Sequence, residues 1–213
     1  MGHQIDVKEA CVETLEEAIL AEKRGANRLE LCADLAEDGL TPSLELVDAV
    51  LNAVAIPVKV MVRPRGGDFC HSEEEVRLME QSIAAFKERP VFGVVLGITT
   101  PANELDIARI KHLSALAKPL NVCVHKAIDG VKNPLADFKR LLNEVPDVNA
   151  VLTSGGKPTA LEGAEVLKAM IDIGGSVLKV VVAGRVKNDN IDQLAELIGA
   201  SEYHGRRIVG ELS

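Results

Sequence analysis

Apolar and polar residues alternate in short bursts along this chain, and between the bursts the period lengthens to that of a helix. Val58 to His71 (VKVMVRPRGGDFCH) shows the unit most clearly. Val58, Val60 and Val62 share one face of a strand, and Lys59, Met61 and Arg63 share the other. Pro64 breaks the alternation into a loop carrying Arg65, Gly66, Gly67 and Asp68. Ser72 and the acidic run Glu73 to Glu75 then open a helix. The same unit recurs throughout. Further strands are expected at Ile5–Glu9, Arg28–Cys32, Phe92–Gly97, Asn121–His125, Ala150–Ser154, Leu178–Ala183 and Glu202–His204. Helices are expected behind Thr14, where Gly25 ends the helix, and behind Ser43. Others should follow Asp106 and Pro134, run from Ala160 to Ile173, and follow a cap at Asn188 or Asp189.

Strands alternating with helices through short loops imply a parallel sheet. Eight of them favour a closed TIM (β/α)8 barrel over an open doubly wound sheet. Such barrels usually take about 250 residues; here 213 residues read as a single domain over 1–213. The deficit falls after the eighth strand, where GRRIVGELS is too short for a full eighth helix. A missing helix would leave an apolar stripe on the barrel wall, so a homo-oligomer, dimer or higher, is expected.

Composition narrows the function classes. The net charge is −8 with no sustained basic run, and aromatic residues make up only 2% with no Trp. Neither nucleic acid nor an anionic membrane surface is an expected partner. No secretory h-region and no membrane-length apolar run is visible, so a cytoplasmic location is expected. The four cysteines are widely spaced without a CxxC pair, which argues against a zinc ribbon or a disulfide framework.

Barrel chemistry sits at the C-terminal strand ends, and alternate strand residues point inward. The valine and leucine phase should face the helices. The opposite phase then places Glu9, Cys11, Arg28, Glu30, Cys32, Lys59, Arg63, Cys123, His125, Glu202 and His204 in the lumen, with Thr153 and Ser154 ending the sixth strand. Arg28 and Lys59 fit a charged plug that neutralises Glu9 and Glu30. Glu30, His125 and His204 are candidate acid and base groups, with Asp129 placed to orient an imidazole. Arg63 and Arg65 are candidate anion clamps, and Ser154 a candidate oxyanion donor. Cys11 and Cys32 lie in one phase on adjacent strands, about 4.8 Å apart. They are either a soft Cu(I) site or two small buried hydrophobes.

Six motifs in order resemble the CutC family, named for copper homeostasis: NRLELC (27–32), GLTPS (39–43), RPRGGDF (63–69), VHKAID (124–129), VLTSGG (151–156) and EYHG (202–205). The resemblance covers nearly the whole chain. It implies a TIM barrel, cytoplasmic copper handling, and Cu(I) held by the cysteines matching Cys11 and Cys32. It also implies a polar cleft whose matching residues are Glu9, Glu30, Arg63, Arg65, Asp68, His125, Asp129, Ser154 and His204. Two positions depart from the family pattern. Lys126 stands where an arginine is usual, and AGRVKNDNI (183–191) replaces a glycine-rich turn, with Gly184 alone retained. Beside copper binding, the polar strand ends leave open an enzyme acting on a small anionic metabolite, or a barrel that binds one without turnover.

Overall fold

The computed structural model describes residues 4–212. Eight parallel strands close into a barrel in sequence order. They are β1 (Val7–Val12), β2 (Arg28–Leu31), β3 (Val58–Met61), β4 (Gly93–Leu96), β5 (Asn121–Val124), β6 (Ala150–Thr153), β7 (Lys179–Val182) and β8 (Glu202–Gly205). Seven helices cover it among the described residues: α1 (Leu15–Lys23), α2 (Leu44–Ala53), α3 (Glu73–Lys87), α4 (Ile107–Ala117), α5 (Pro134–Glu144), α6 (Ala164–Gly174) and α7 (Ile191–Ile198). The expected TIM barrel is the fold.

Local chemistry accounts for the helix starts. Thr14, Ser43, Asp106 and Asn133 each accept a backbone N–H from the first turn of their helix. Ser72 and Glu75 form a reciprocal capping box at α3. Each such cap is worth about 1 kcal/mol. The strands carry two apolar faces. Leu29, Leu31, Val58, Val60, Val62, Val122 and Val124 pack outward against the helices. Cys11, Cys32, Met61, Val95, Cys123, Ala150, Leu152, Val181 and Ala183 form a separate cluster inside the barrel. The side-chain phase read from the sequence is therefore the observed one.

Several boundaries differ. β1 begins at Val7 and runs to Val12, so Cys11 lies within the strand rather than beyond it. α6 starts at Ala164, not Ala160; residues 160–163 form a turn, and Gly163 there passes close to the Ser154 carbonyl, where a Cβ would stand 1.9 Å from its oxygen. α7 is preceded by Asn190, without a side-chain cap. After β8 no helix forms, but the expected bare stripe is partly covered. Ile208, Val209 and Leu212 are buried in the outer core.

Candidate functional site

A cavity of about 290 Å³ opens at the C-terminal end of the barrel. Its wall combines strand ends with three loops: Cys11, Glu30, Met61, Arg63, His125, Leu152 and His204, closed over by Asp38, Phe69 and Lys126 from the segments after β2, β3 and β5.

Arg63 is 2% exposed and has no ion-pair partner among the described residues; it is held instead by carbonyls. Nη1 donates to Glu37 and Gly39 at 2.7 and 3.2 Å, and Nη2 donates to Gly67 at 2.8 Å. Its Nε has no hydrogen-bond partner. Its own backbone is laced to the loop after β2: the Arg63 N–H donates to Thr41 Oγ1, and the Thr41 N–H returns to the Arg63 carbonyl. A buried cation satisfied only by neutral oxygens keeps most of its charge for whatever enters the cavity.

Phe69 lies 4.7 Å from the Arg63 guanidinium and 4.8 Å from the His125 ring centre. The His125 Nδ1 accepts the Ala127 N–H, so a neutral ring carries its proton on Nε2, which has no partner. Burial, reinforced by Arg63, pushes His125 down to about 3. At neutral pH it is a neutral donor rather than a base. Gly97 makes this possible: a Cβ there would meet the imidazole at 2.5 Å.

Opposite these lies a thiol, carboxylate and imidazole group. The sulfurs of Cys11 and Cys32 are 4.0 Å apart, both unoxidised. Glu30 Oε2 is 3.5 Å from the Cys11 sulfur, 3.7 Å from that of Cys32 and 3.7 Å from His204 Nε2. Hydrogen bonding from Cys32 and then the charge of His204 outweigh burial and lower Cys11 to about 5, while Cys32 is raised. Burial lifts Glu30 to about 8. Burial opposes charge on His204, yet Glu30, Glu9 and Cys11 together raise it. Cys11, Glu30 and His204 thus share protons as one buried group, in which the Cys11 thiol is pulled down and the Glu30 carboxyl and His204 imidazole are pushed up.

Below the cavity, Glu9 is fully buried and faces Arg28, Lys59 at 3.2 Å and His204 Nδ1 at 3.0 Å. Arg28 also pairs with Glu202 at 2.7 Å. This is the charged plug; Glu9 reaches the cavity only through His204.

A larger, more open chamber of about 630 Å³ adjoins the cavity, sharing Cys11, Asp38, Lys126 and His204 with it. Its remaining wall comes from the loops after β6, β7 and β8, and includes Arg185, Lys187, Arg206 and Arg207.

The CutC family model matches residues 6–209. The chain belongs to the CutC family. It is 40% identical to a mouse protein named copper homeostasis protein cutC homolog over 92% of this chain and 71% of that one. The human homolog of the same name is 38% identical over the same shares. Among solved structures, a Streptococcus agalactiae protein provisionally described as copper homeostasis protein CutC superposes with a TM-score of 0.88 at 28% identity, covering 96% of this chain and all of that one. A Burkholderia cenocepacia barrel at 17% identity and TM-score 0.68 shares the fold alone; it covers 96% of this chain and 88% of its own. No helix among the described residues is long and apolar enough to cross a membrane.

In this CutC-family barrel Cys11, Glu30, Arg63, His125 and His204 do converge, and Cys32 sits directly behind Cys11. Besides Glu9 and Cys32, four expected site residues do not line the cavity. Arg65 and Asp68 are turned to each other at 2.9 Å, and Arg65 also grips Glu75 at 2.6 Å, so the pair shapes its loop. Asp129 is saturated: it accepts Thr153 Oγ1, the Ser154 and Gly156 N–H groups and Lys126 Nζ. Ser154 is held between Asp129, Lys126 and the Lys157 carbonyl. These two tie the loops after β5 and β6 together, and Lys126 alone of that group reaches the cavity. Sequence reasoning missed the roles of Asp38, Thr41 and Gly97. Thr41 and Phe69 lie inside the quoted motifs, which was their one visible signal.

Proposed function

We propose that this CutC-family protein takes part in cytosolic copper homeostasis by binding Cu(I) through Cys11 and Cys32. The observation that carries the reading is two free thiols 4.0 Å apart on adjacent strands, with Cys11 on the cavity wall. Thiolate sulfur is a soft donor that selects Cu(I) among cellular cations, and His204 is the nearest nitrogen donor. Cys11, Glu30 and His204 present ligand atoms within 4.8 Å of one another. Copper here is cargo, and Cys11 is the point of entry because Cys32 lies behind it. Anaerobic titration against a competing Cu(I) chelator should give one tight equivalent per chain. Cys11→Ala/Cys32→Ala should weaken it at least a hundredfold. Equal affinity in the double variant would move copper elsewhere.

A second reading has its own observation. Three buried polar atoms without partners, Arg63 Nε, His125 Nε2 and Glu30 Oε1, belong to residues that line one cavity. Cu(I) needs none of the first two. They suit a small anion whose charge meets Arg63 while neutral His125 donates a hydrogen bond and Glu30 carries a proton. Under this reading the barrel is an enzyme or receptor for a small anionic metabolite. Arg63→Lys should then abolish anion capture while leaving Cu(I) affinity unchanged.

A further inference from the structure

The outer chamber has a charge balance opposite to that of the molecule. The chain carries −8, yet Lys126, Arg185, Lys187, Arg206 and Arg207 line this one concavity, where Asp38 is the only carboxylate among the described residues. Three of the cations are already engaged: Lys126 with Asp129, Arg206 with Glu13 and Glu17, and Arg207 with Glu211. Arg185 and Lys187 have no ion-pair partner among the described residues, so no carboxylate neutralises them at the chamber wall.

The turn that presents them is built to hold its shape. Arg185 adopts φ +58°, a left-handed conformation that costs a non-glycine residue about 1 kcal/mol or more. Asn190 braces it from both sides: Nδ2 donates to the Arg185 carbonyl at 3.0 Å, and Oδ1 accepts the Lys187 N–H at 2.8 Å. The backbone of the turn is thus fixed before any ligand arrives, and both side chains leave it on the chamber wall. The chamber also opens directly onto the cavity where Arg63 Nε and His125 Nε2 are buried without partners.

We propose that the outer chamber anchors the phosphate of a small phosphorylated metabolite, whose other end reaches the inner cavity. Only the inner half of this assignment rests on the anionic-metabolite reading above. Two unpaired cations on one braced turn match a phosphomonoester, which carries close to two negative charges at neutral pH; a monocarboxylate would leave one cation unmatched. Among the described residues the wall has no Phe, Tyr or Trp on which a nucleobase could stack, which disfavours a nucleic-acid ligand. The inner end of the metabolite would carry a carboxylate or carbonyl, because Arg63 and His125 offer only donors there.

Amide chemical-shift titration tests this with inorganic phosphate as the first probe and chloride at matched ionic strength as the control. Phosphate should shift the amides of Gly184 to Lys187 saturably at millimolar concentration. Arg185→Ser/Lys187→Ser should weaken it at least tenfold, with shifts elsewhere confirming an intact fold. Phosphoglycolate, with a phosphate at one end and a carboxylate at the other, should bind about tenfold tighter than phosphate. Arg63→Lys should remove that gain and leave the phosphate affinity unchanged. No saturable shift, or equal affinity in the double variant, would overturn the outer site. Phosphate bound at the turn with no gain for phosphoglycolate would leave the outer site standing and sink the inner reading. Phosphoglycolate held through Arg63 alone would do the reverse.

Discussion

His125 and Arg63 show how one residue's setting decides its role. Both are buried at strand ends, and each has one polar atom without a partner. His125 has a folded-state pKa of about 3, against about 6.5 in an unfolded chain. Between those values the unfolded state binds the extra proton. Its stabilising contribution is therefore intact above about pH 6.5 and drains away as pH falls toward 3. His204 has the opposite sign: its raised pKa contributes below about 6.5 and is lost as pH rises through the folded value. His125→Gln should flatten the acid limb of the stability curve, read as urea midpoints from pH 7 to 4. An unaltered limb would mean that His125 titrates like a free imidazole. Residues of this kind were legible because a strand's period of two fixes which way each side chain points. Arg65, Asp68 and Asp129 lie in loops, where no period exists, and their chemistry suited a ligand as well as it suited each other. Only coordinates reveal that Arg65 meets Glu75 and that Asp129 collects five donors from its own neighbourhood.

At the scale of elements, the site depends on how closely two strands can approach. β4 and β5 pair with Leu96 opposite Val124, so Gly97 stands beside His125. Ala at position 97 would place its Cβ 2.5 Å from the imidazole and 2.9 Å from the Ala127 Cβ. Overpacking of this sort costs about 1–3 kcal/mol. Gly97→Ala should lower the thermal midpoint and displace the His125 ring resonances. A variant as stable as the parent, with an unmoved ring, would mean that the strand ends are more pliable than this. The elements themselves were readable wherever a cap and a period agreed, as at Ser72 and Pro134. They were misplaced where a turn came before the helix, as at residues 160–163 before α6.

At the scale of the molecule, the strand count carried the barrel, and the alternation carried its inside and outside. What the count left open is how the gap between α7 and α1 is treated. The segment after β8 buries Ile208, Val209 and Leu212, while α1 and α7 keep Ile19 and Leu197 44% and 39% exposed. A dimer or higher assembly through this face is the expected outcome of light scattering, with Ile19→Lys/Leu197→Lys returning it to monomer. A concentration-independent monomer in the parent would show that the short segment closes the wall alone. The closure has a further consequence in time. Cys11 and Glu30 come from the first two strands and His204 from the last, and Glu9 meets His204 only where β1 and β8 join. During synthesis the two thiols and Glu30 leave the ribosome more than 170 residues before their imidazole. Until β8 docks, the nascent barrel carries Cys11 without His204 beside it, and a polypeptide stalled before residue 202 holds both cysteines without that imidazole.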